Sequence, residues 1–519
     1  MYGMGARNVA RGNASTALAE DAWTSFYNPA GVARLRHVSL EASYILGQAN
    51  LRPFERIVYD RNGDGQLSDA DGFAETGPVG ADYRARNTGP DRPFHTDGIQ
   101  FAIAYPLGWR FGIGVAGFLP REGLLRLALE NPALPYYVVF RNRNNRFTLS
   151  PALGMQIVEG VSIGVGAEVA AQAKLYAQAS ANANVDAFAE GSDTDLVADL
   201  SLDIQAFEAS AVPKVQPTAG LQVSLGAFVP RDKPELRELL DRFAIGLTYR
   251  GRWGVDTSAE VVAGVNGEIR FDDETLLLSS LLEEPLALTI EDLLAFYNPP
   301  RVNLGFTGGY RFLQLSFDAQ WTKWSGFQEL STPATTLAID AVAGTSINVD
   351  IGTPLPPPAF RDTWTIRTGL DVDLDLLSDL KAVDRLGLHL GLGYGFVPSP
   401  VPPQTGLTNY MDADRHALSF GAGVELGHIK GVTKGPVRFD FAGQYHALTT
   451  TTSIKEDGLV SDGDGDGRLD YPSGYPLDGE ITAGGSAWAL MGSVSVAFGD
   501  PTQVRRRKDR ALDAVEETP

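Results

Sequence analysis

The chain contains no cysteine, which excludes disulfides, thiolate metal sites and cysteine nucleophiles. It has no apolar run of the ~18 residues that a membrane-crossing helix needs. That absence leaves a β-barrel open, because a barrel strand needs only ~9–11 residues and is polar at every second position. Basic residues are in the minority, 43 Lys and Arg against 64 Asp and Glu, and the formal charge of −21 argues against nucleic acid as partner. The six histidines have no metal-ligand spacing, and no G-x-S-x-G turn or other nucleophile motif supports an enzyme. His446 falls on an inner face near Asp440 and Arg438, the pattern of a polar network in a lumen. The chain also opens without a charged n-region and an apolar h-region. An exported barrel needs a signal peptide, so this numbering is expected to begin at or near the mature end.

What is present is alternation. Val38, Leu40, Ala42, Tyr44 and Leu46 alternate with Ser39, Glu41 and Ser43. Leu315, Phe317, Ala319 and Trp321 alternate with Ser316, Asp318, Gln320 and Thr322. Val437, Phe439 and Phe441 alternate with Arg438 and Asp440, and the same period runs from Trp488 to Phe498. In a barrel these sets are lipid-facing and lumen-facing. The pattern gives fourteen strands, near 37–48, 98–106, 110–118, 147–156, 160–174, 215–225, 242–270, 300–312, 314–330, 362–375, 386–397, 414–427, 435–450 and 486–498. Tight connections at 106–110, 159–160 and 311–313 alternate with long ones at 49–97, 119–146, 175–214, 271–299, 331–361, 398–413 and 451–485. Short turns at one end and long loops at the other are the asymmetry of outer-membrane barrels. Inner positions are often small, as at Gly391, Gly393, Gly421 and Gly423, which leaves room for a plug or a ligand; glycine in strands also serves simply to allow bends.

Several segments resemble one family in order along the chain. The first is Gly12-Asn13-Ala14-Ser15-Thr16-Ala17, then Asp21, then Asn28-Pro29-Ala30-Gly31. It is followed by Trp321-Thr322-Lys323-Trp324-Ser325-Gly326-Phe327-Gln328-Glu329-Leu330 and by Phe360-Arg361-Asp362-Thr363-Trp364-Thr365-Ile366-Arg367-Thr368-Gly369. Ser399-Pro400-Val401-Pro402 comes next, then Asp412-Ala413-Asp414-Arg415-His416, and finally the terminal stretch Trp488 to Phe498. The ordered set resembles the FadL/TodX family of outer-membrane channels for long-chain fatty acids and hydrocarbons. The resemblance implies an all-β fold: a 14-stranded antiparallel transmembrane β-barrel with an N-terminal hatch inside the lumen. It implies residues 1–36 as hatch, with Asn28, Pro29 and Ala30 at its turn toward the first strand, and 37–498 as barrel. It further implies cargo binding in an external hydrophobic groove and hatch-gated lateral release beside an inward kink of the third strand. Here that strand is 110–118, and Pro120 either disrupts the pairing or simply begins the loop. Residues 499–519 depart from the family by following the terminal aromatic Phe498; their polar composition reads as a disordered periplasmic tail.

Two Leu-rich loop segments, 119–139 and 275–296, are candidates for the groove through Leu124, Leu125, Leu127, Leu293, Leu294 and Phe296. The second, interrupted by Pro285, reads as two short amphipathic helices. Both segments serve equally well to pack on each other and cap the barrel mouth. Two acidic loops fit a calcium template. In the first, oxygen donors fall at Asp60, Asn62, Asp64, Ser68 and Asp71, with the Gln66 carbonyl and a turn at Gly65. The second offers Asp462, Asp464, Asp466, Arg468 through its carbonyl, and Asp470. A solvated acidic turn is the plainer reading of each. The expected function is therefore passive uptake of hydrophobic molecules by a monomer in the bacterial outer membrane, in contact with its lipid and lipopolysaccharide, with structural Ca2+ in the loops. The alternative is a structural or surface-interaction barrel with calcium-stiffened loops and a closed plug.

Overall fold

A computed structural model describes residues 2–18, 21–54, 57, 95–108, 110–121, 135–137, 147–170, 175–176, 179–188, 195–209, 215–230, 232–255, 259–271, 274–277, 286–290, 296–310, 312–327, 336–341, 345–350, 359–376, 386–406, 408–427, 429, 435–456 and 475–498. Fourteen strands close into one antiparallel barrel. They are β1 (Val38–Leu51), β2 (His95–Leu107), β3 (Phe111–Pro120), β4 (Thr148–Val158), β5 (Val161–Ala170), β6 (Val215–Ser224) and β7 (Ala244–Arg250). The circuit continues through β8 (Arg301–Tyr310), β9 (Leu313–Thr322), β10 (Thr363–Leu376), β11 (Leu386–Val397), β12 (Arg415–Leu426), β13 (Val437–Ile454) and β14 (Glu480–Phe498). Pairing of Val38 with Phe498 and of Leu51 with Gly485 closes it, which removes both sheet edges.

The period-two sequence pattern explains the two faces. Leu40, Ile103, Leu247, Phe317, Leu392, Phe439 and Leu490 are exposed on the outside. Their neighbours Glu41, Gln100, Asp318, Asp371, His389 and Asp440 are buried inside. An apolar outer wall around a polar interior is the arrangement that suits a bilayer. No helix among the described residues is long and apolar enough to cross a membrane.

Three segments differ from expectation. The stretch 242–270 is not one strand: β7 ends at Arg250, and Ala259–Phe271 pairs with Asp195–Ala209 in a separate sheet outside the barrel. The stretch 275–296 contributes Glu274–Leu277 and Leu286–Ile290 as strands that pair with opposite ends of Ala259–Phe271, where two helices were expected. Short apolar runs cannot be assigned by periodicity alone, and an available sheet edge decides them. The connection between β6 and β7 carries a helix, α3 (Pro234–Asp241), which opens with Pro at its first turn and Glu235 after it, both favourable there.

The N-terminal segment lies in the lumen. It contains α1 (Ala6–Ala10), α2 (Thr24–Tyr27) and a 3₁₀ helix, Pro29–Arg34. Tyr2, Met4, Val9, Trp23 and Tyr27 form one core with Ala102, Ala116, Ala442, Ala489 and Met491 of the wall. Inward glycines let the backbones approach. A Cβ at Gly112 of β3 would sit 2.1 Å from the Val32 carbonyl oxygen, and one at Gly246 of β7 would sit 2.2 Å from that of Thr16. At Gly393 of β11 it would meet the Gly12 nitrogen at 2.1 Å, and at Gly421 of β12 the Ala10 Cβ at 2.5 Å. Strands spread around the whole circuit can touch one short segment only from the inside.

Candidate functional site: the plugged lumen

The plug is tied to the wall by charge as well as by packing. Arg11 faces Asp371 of β10 at 3.2 Å, and both side chains are essentially fully buried. Arg7 reaches both oxygens of Asp373 at 3.0 and 2.9 Å, and His389 of β11 stands 3.0 Å from Asp373 and 3.4 Å from Asp371. Further round the wall, Arg438 of β13 gathers Asp440 at 2.7 Å, Glu41 of β1 at 3.6 Å and Asp21 of the plug at 3.7 Å. His446 does not join this network as the sequence pattern implied; it bonds Gln444 at 2.8 Å and meets the Tyr2 ring edge-on at 5.4 Å. Burial pushes the Tyr27 phenol above its ordinary range, so it stays protonated and lies within hydrogen-bond reach of Asn13 and the Met4 backbone.

The Asn28-Pro29-Ala30 motif sits where the plug turns. Asn28 takes the extended geometry that a following proline imposes, φ −152 and ψ 106. Its side chain is fully buried and satisfied on both ends: the amide donates to the Thr16 and Leu221 carbonyls at 2.8 and 3.1 Å, and the oxygen accepts from Ala30 N at 3.1 Å. One residue thereby caps the 3₁₀ helix, holds the 15–18 segment and contacts β6.

Above the plug, toward the long loops, lies a cavity of about 190 Å³. Plug residues Thr16, Phe26 and Tyr27 form its floor, and Trp324 and Pro400 stand at its rim. Four arginines line it, Arg250, Arg301, Arg367 and Arg415, and Asp318 is the acidic side chain in the lining. Arg250 and Arg301 are directly opposed in register on β7 and β8. Like charges so placed are unfavourable; Glu168 compensates, 2.9 Å from Arg250 and 3.7 Å from Arg301. Arg250 also donates to the Phe26 carbonyl and lies 4.4 Å from the centre of the Phe26 ring. Arg367 donates to Gln320 at 3.1 Å. Sequence reading missed this cluster, because its members come from four strands far apart in the chain. The available signal was register: Arg250 and Arg301 both close the loop ends of neighbouring strands.

No family model matches the chain, and no curated protein matches it. Among solved structures, a FadL homologue from Pseudomonas aeruginosa aligns with a TM-score of 0.52 at 14% identity, over 96% of this chain and 98% of that one. The fold is shared with that FadL homologue. The P. putida toluene transporter TodX aligns at TM-score 0.46 and 13% identity, covering 96% of this chain and 99% of its own. The CymD monoaromatic hydrocarbon channel aligns at 0.44 and 12%, covering 96% and 98%. The fourteen strands and their order are thus those expected from the FadL/TodX resemblance.

The third strand differs from what that resemblance implied. It is paired without interruption to β2 from Phe111 through Pro120, and to β4 from Phe111 through Phe118. Pro120 is its last residue, opposite Gly98. Between β4 and β5 the pairing passes from Leu149 to Ala152 without a change of register, leaving Ser150 and Pro151 out of the ladder, and its register shift falls between Gln156 and Val158. Proline has no N–H to give the ladder. The groove residues Leu124, Leu125, Leu127, Leu293 and Leu294, and both acidic loops, lie outside the described residues; Phe296 falls in the short strand Phe296–Asn298.

Proposed function

We propose that this protein is an outer-membrane channel for passive uptake of hydrophobic molecules, and that its cargo carries an acidic headgroup, as a long-chain fatty acid does. The observation that carries the headgroup is the quartet of arginines over the lumen cavity. Guanidinium is the side chain best matched to a carboxylate, in charge and in bidentate geometry. A cavity of about 190 Å³ is smaller than the ~300–1,000 Å³ of sites that enclose a whole drug-sized ligand. It fits a headgroup and a short length of tail, with Phe26 and Trp324 offering apolar faces. A neutral hydrocarbon offers the arginines no carboxylate to pair with, only the weaker attraction of a cation to an aromatic face. The Leu-rich loop segments supply the external landing groove in this reading. Apolar cargo gains on the order of 25 cal/mol per Å² on leaving water for such a surface.

Uptake in cells lacking their own channel tests this. Labelled fatty acids should enter several-fold faster than fatty alcohols of equal length and than small aromatic hydrocarbons. Equal rates for acid and alcohol would remove the headgroup assignment. No uptake of any class above empty-vector cells would favour the structural barrel with a closed plug. Mass spectrometry of molecules copurifying from native membranes would identify the cargo directly.

Calcium in the Asp60–Asp71 loop is part of the same proposal, on the donor spacing alone. A ligand that binds only the native form stabilises it in proportion to RT ln(1 + [L]/Kd). Calcium should therefore raise Tm in the wild type and lose that effect in the Asp60→Ala, Asp64→Ala double variant. A wild-type melting curve indifferent to calcium would end the idea.

A further inference from the structure

The barrel wall is short at one point. β7 has seven residues, where its neighbours β6 and β8 have ten each. Arg250 of β7 pairs with Arg301, the first residue of β8, and Ala244 pairs with Thr307; β8 then runs on to Tyr310 against β9 alone. The missing length therefore falls at the short-turn end. At about 3.3 Å per residue and a tilt of roughly 45°, seven residues cover ~16 Å along the membrane normal, against an apolar band of ~25 Å. We propose that α3 and the turns beside it form a foot seated in the phospholipid of the periplasmic leaflet, at the boundary between headgroups and chains, and that this foot supplies the apolar height that β7 lacks. This rests on the outer-membrane barrel reading above.

The connection from β6 to β7 is built onto the rim of the wall. Leu304, Phe306 and Tyr310 of β8 are exposed on the outer face, and Gly308 lies in the same alternation. A Cβ at Gly308 would lie 2.6 Å from the Phe243 ring, so Phe243 covers the stretch of β8 that β7 leaves open. Phe243 also meets the Phe306 ring at 6.3 Å. The preceding residue, Arg242, goes the other way and packs beside Gly309. Backbone bonds fix this arrangement: Leu225 N donates to the Phe243 carbonyl at 2.9 Å, and Phe243 N to that of Leu240 at 3.0 Å. Arg237 of the helix pairs with Glu159 in the β4–β5 turn at 2.6 Å, which ties α3 to the next short turn along the rim.

The surface so presented is apolar. Leu236, Leu239 and Leu240 recur at i, i+3 and i+4 on one face of α3. Leu240 is half-buried, but Leu236 is 44% exposed and Leu239 41%. Phe228, in the 3₁₀ turn Leu225–Phe228 before the helix, is 68% exposed. Val158, Tyr310 and Phe312 are exposed at the same end of β4, β8 and the β8–β9 turn. An apolar patch of this kind is a membrane or partner surface. Its continuity with the lipid-facing wall, through Phe243 and Phe306, selects the membrane. Tyrosine at such a rim suits the headgroup level. Charge does not hold the foot: Arg231, Lys233, Arg237 and Arg242 are balanced by Asp232, Glu235, Glu238 and Asp241. Buried apolar area is then the term that seats it.

The absence of cysteine makes the test direct. Single-cysteine variants of the full chain, each carrying an NBD label, are reconstituted in phosphatidylcholine liposomes that contain nitroxide lipids labelled near the headgroup or deep in the chain. Labels at Leu236→Cys and Leu239→Cys should lose more emission to the shallow nitroxide than to the deep one. A label at Leu247→Cys, on the outer face of β7, should lose most to the deep one, and a label at Glu456→Cys, exposed beyond β13, should lose emission to neither. Molar salt should leave the quenching at both helix positions unchanged; its loss would mean that charge seats the helix, against the proposal. In a Leu236→Glu, Leu239→Glu background, shallow quenching of a label at Phe228→Cys should fall several-fold while that of Leu247→Cys holds; unchanged quenching at Phe228→Cys counts against the foot. Quenching at Leu247→Cys with none at Leu236→Cys and Leu239→Cys overturns the foot and leaves the barrel reading intact. Blue-shifted labels on α3 that neither nitroxide reaches would also overturn it, because protein would then cover the face. No quenching at Leu247→Cys would remove the membrane-barrel reading itself.

Discussion

Replacing Asp371 with Ala should cost the seated plug about 3–5 kcal/mol, the penalty of leaving one charge of a buried pair uncompensated. Arg11 is 1% exposed and Asp371 is not exposed at all, so water cannot take over the lost carboxylate. His389 beside them offers no negative charge, and Asp373 is already engaged by Arg7. Amide hydrogen exchange in residues 2–18 is the readout. At about 1.4 kcal/mol per decade, protection there should fall on the order of a hundredfold to several thousandfold. Strands on the far side of the barrel should keep theirs. The double change Arg11→Met, Asp371→Leu should restore most of the loss, because a buried pair replaced by apolar groups of similar size is often neutral. Unchanged exchange in Asp371→Ala would mean that the ion pair does not hold the plug.

The barrel was legible because its chemistry is periodic. Each strand has one face toward lipid and one toward the lumen, so apolar and polar residues must alternate, and all fourteen strands follow from that. The same rule misjoined β7 to Ala259–Phe271, since strands of an outer-loop sheet alternate too and only the partner, Asp195–Ala209, tells them apart. The plug was legible only by resemblance. Its residues are buried on all sides, polar and charged ones included, as Asn8, Arg7 and Arg11 are. A segment without an exposed face has no amphipathic period to read. The lumen arginines were illegible for another reason: alternation says which way a side chain points, not which distant strands share a level. That level is fixed by register, and register is fixed by the closure of the whole barrel.

Putting Leu at Gly164 should unseat the plug altogether. A Cβ there would lie 2.3 Å from the Pro29 carbonyl carbon, 2.4 Å from Ala30 N and 2.5 Å from the Pro29 oxygen. All three are backbone atoms, and Asn28 fixes them through its bond to Ala30 and to β6. Overpacking a core typically costs about 1–3 kcal/mol when side chains can shift; here a capped helix must move instead. The barrel loses none of its ladder bonds, since Gly164 keeps its pairing with Gly154 and Gly220 through backbone atoms alone. The variant should therefore insert and resist heat as a barrel while residues 1–35 become open to protease. Cells carrying it should also become sensitive to large antibiotics that the outer membrane normally excludes. Gly387→Ala is the matched control, because its nearest neighbour is the Glu425 Cβ at 3.4 Å, an ordinary contact. A Gly164→Leu protein whose N-terminus stays protected would show that the plug can shift within the lumen without leaving it. That outcome would favour small local movements of the plug over its wholesale release.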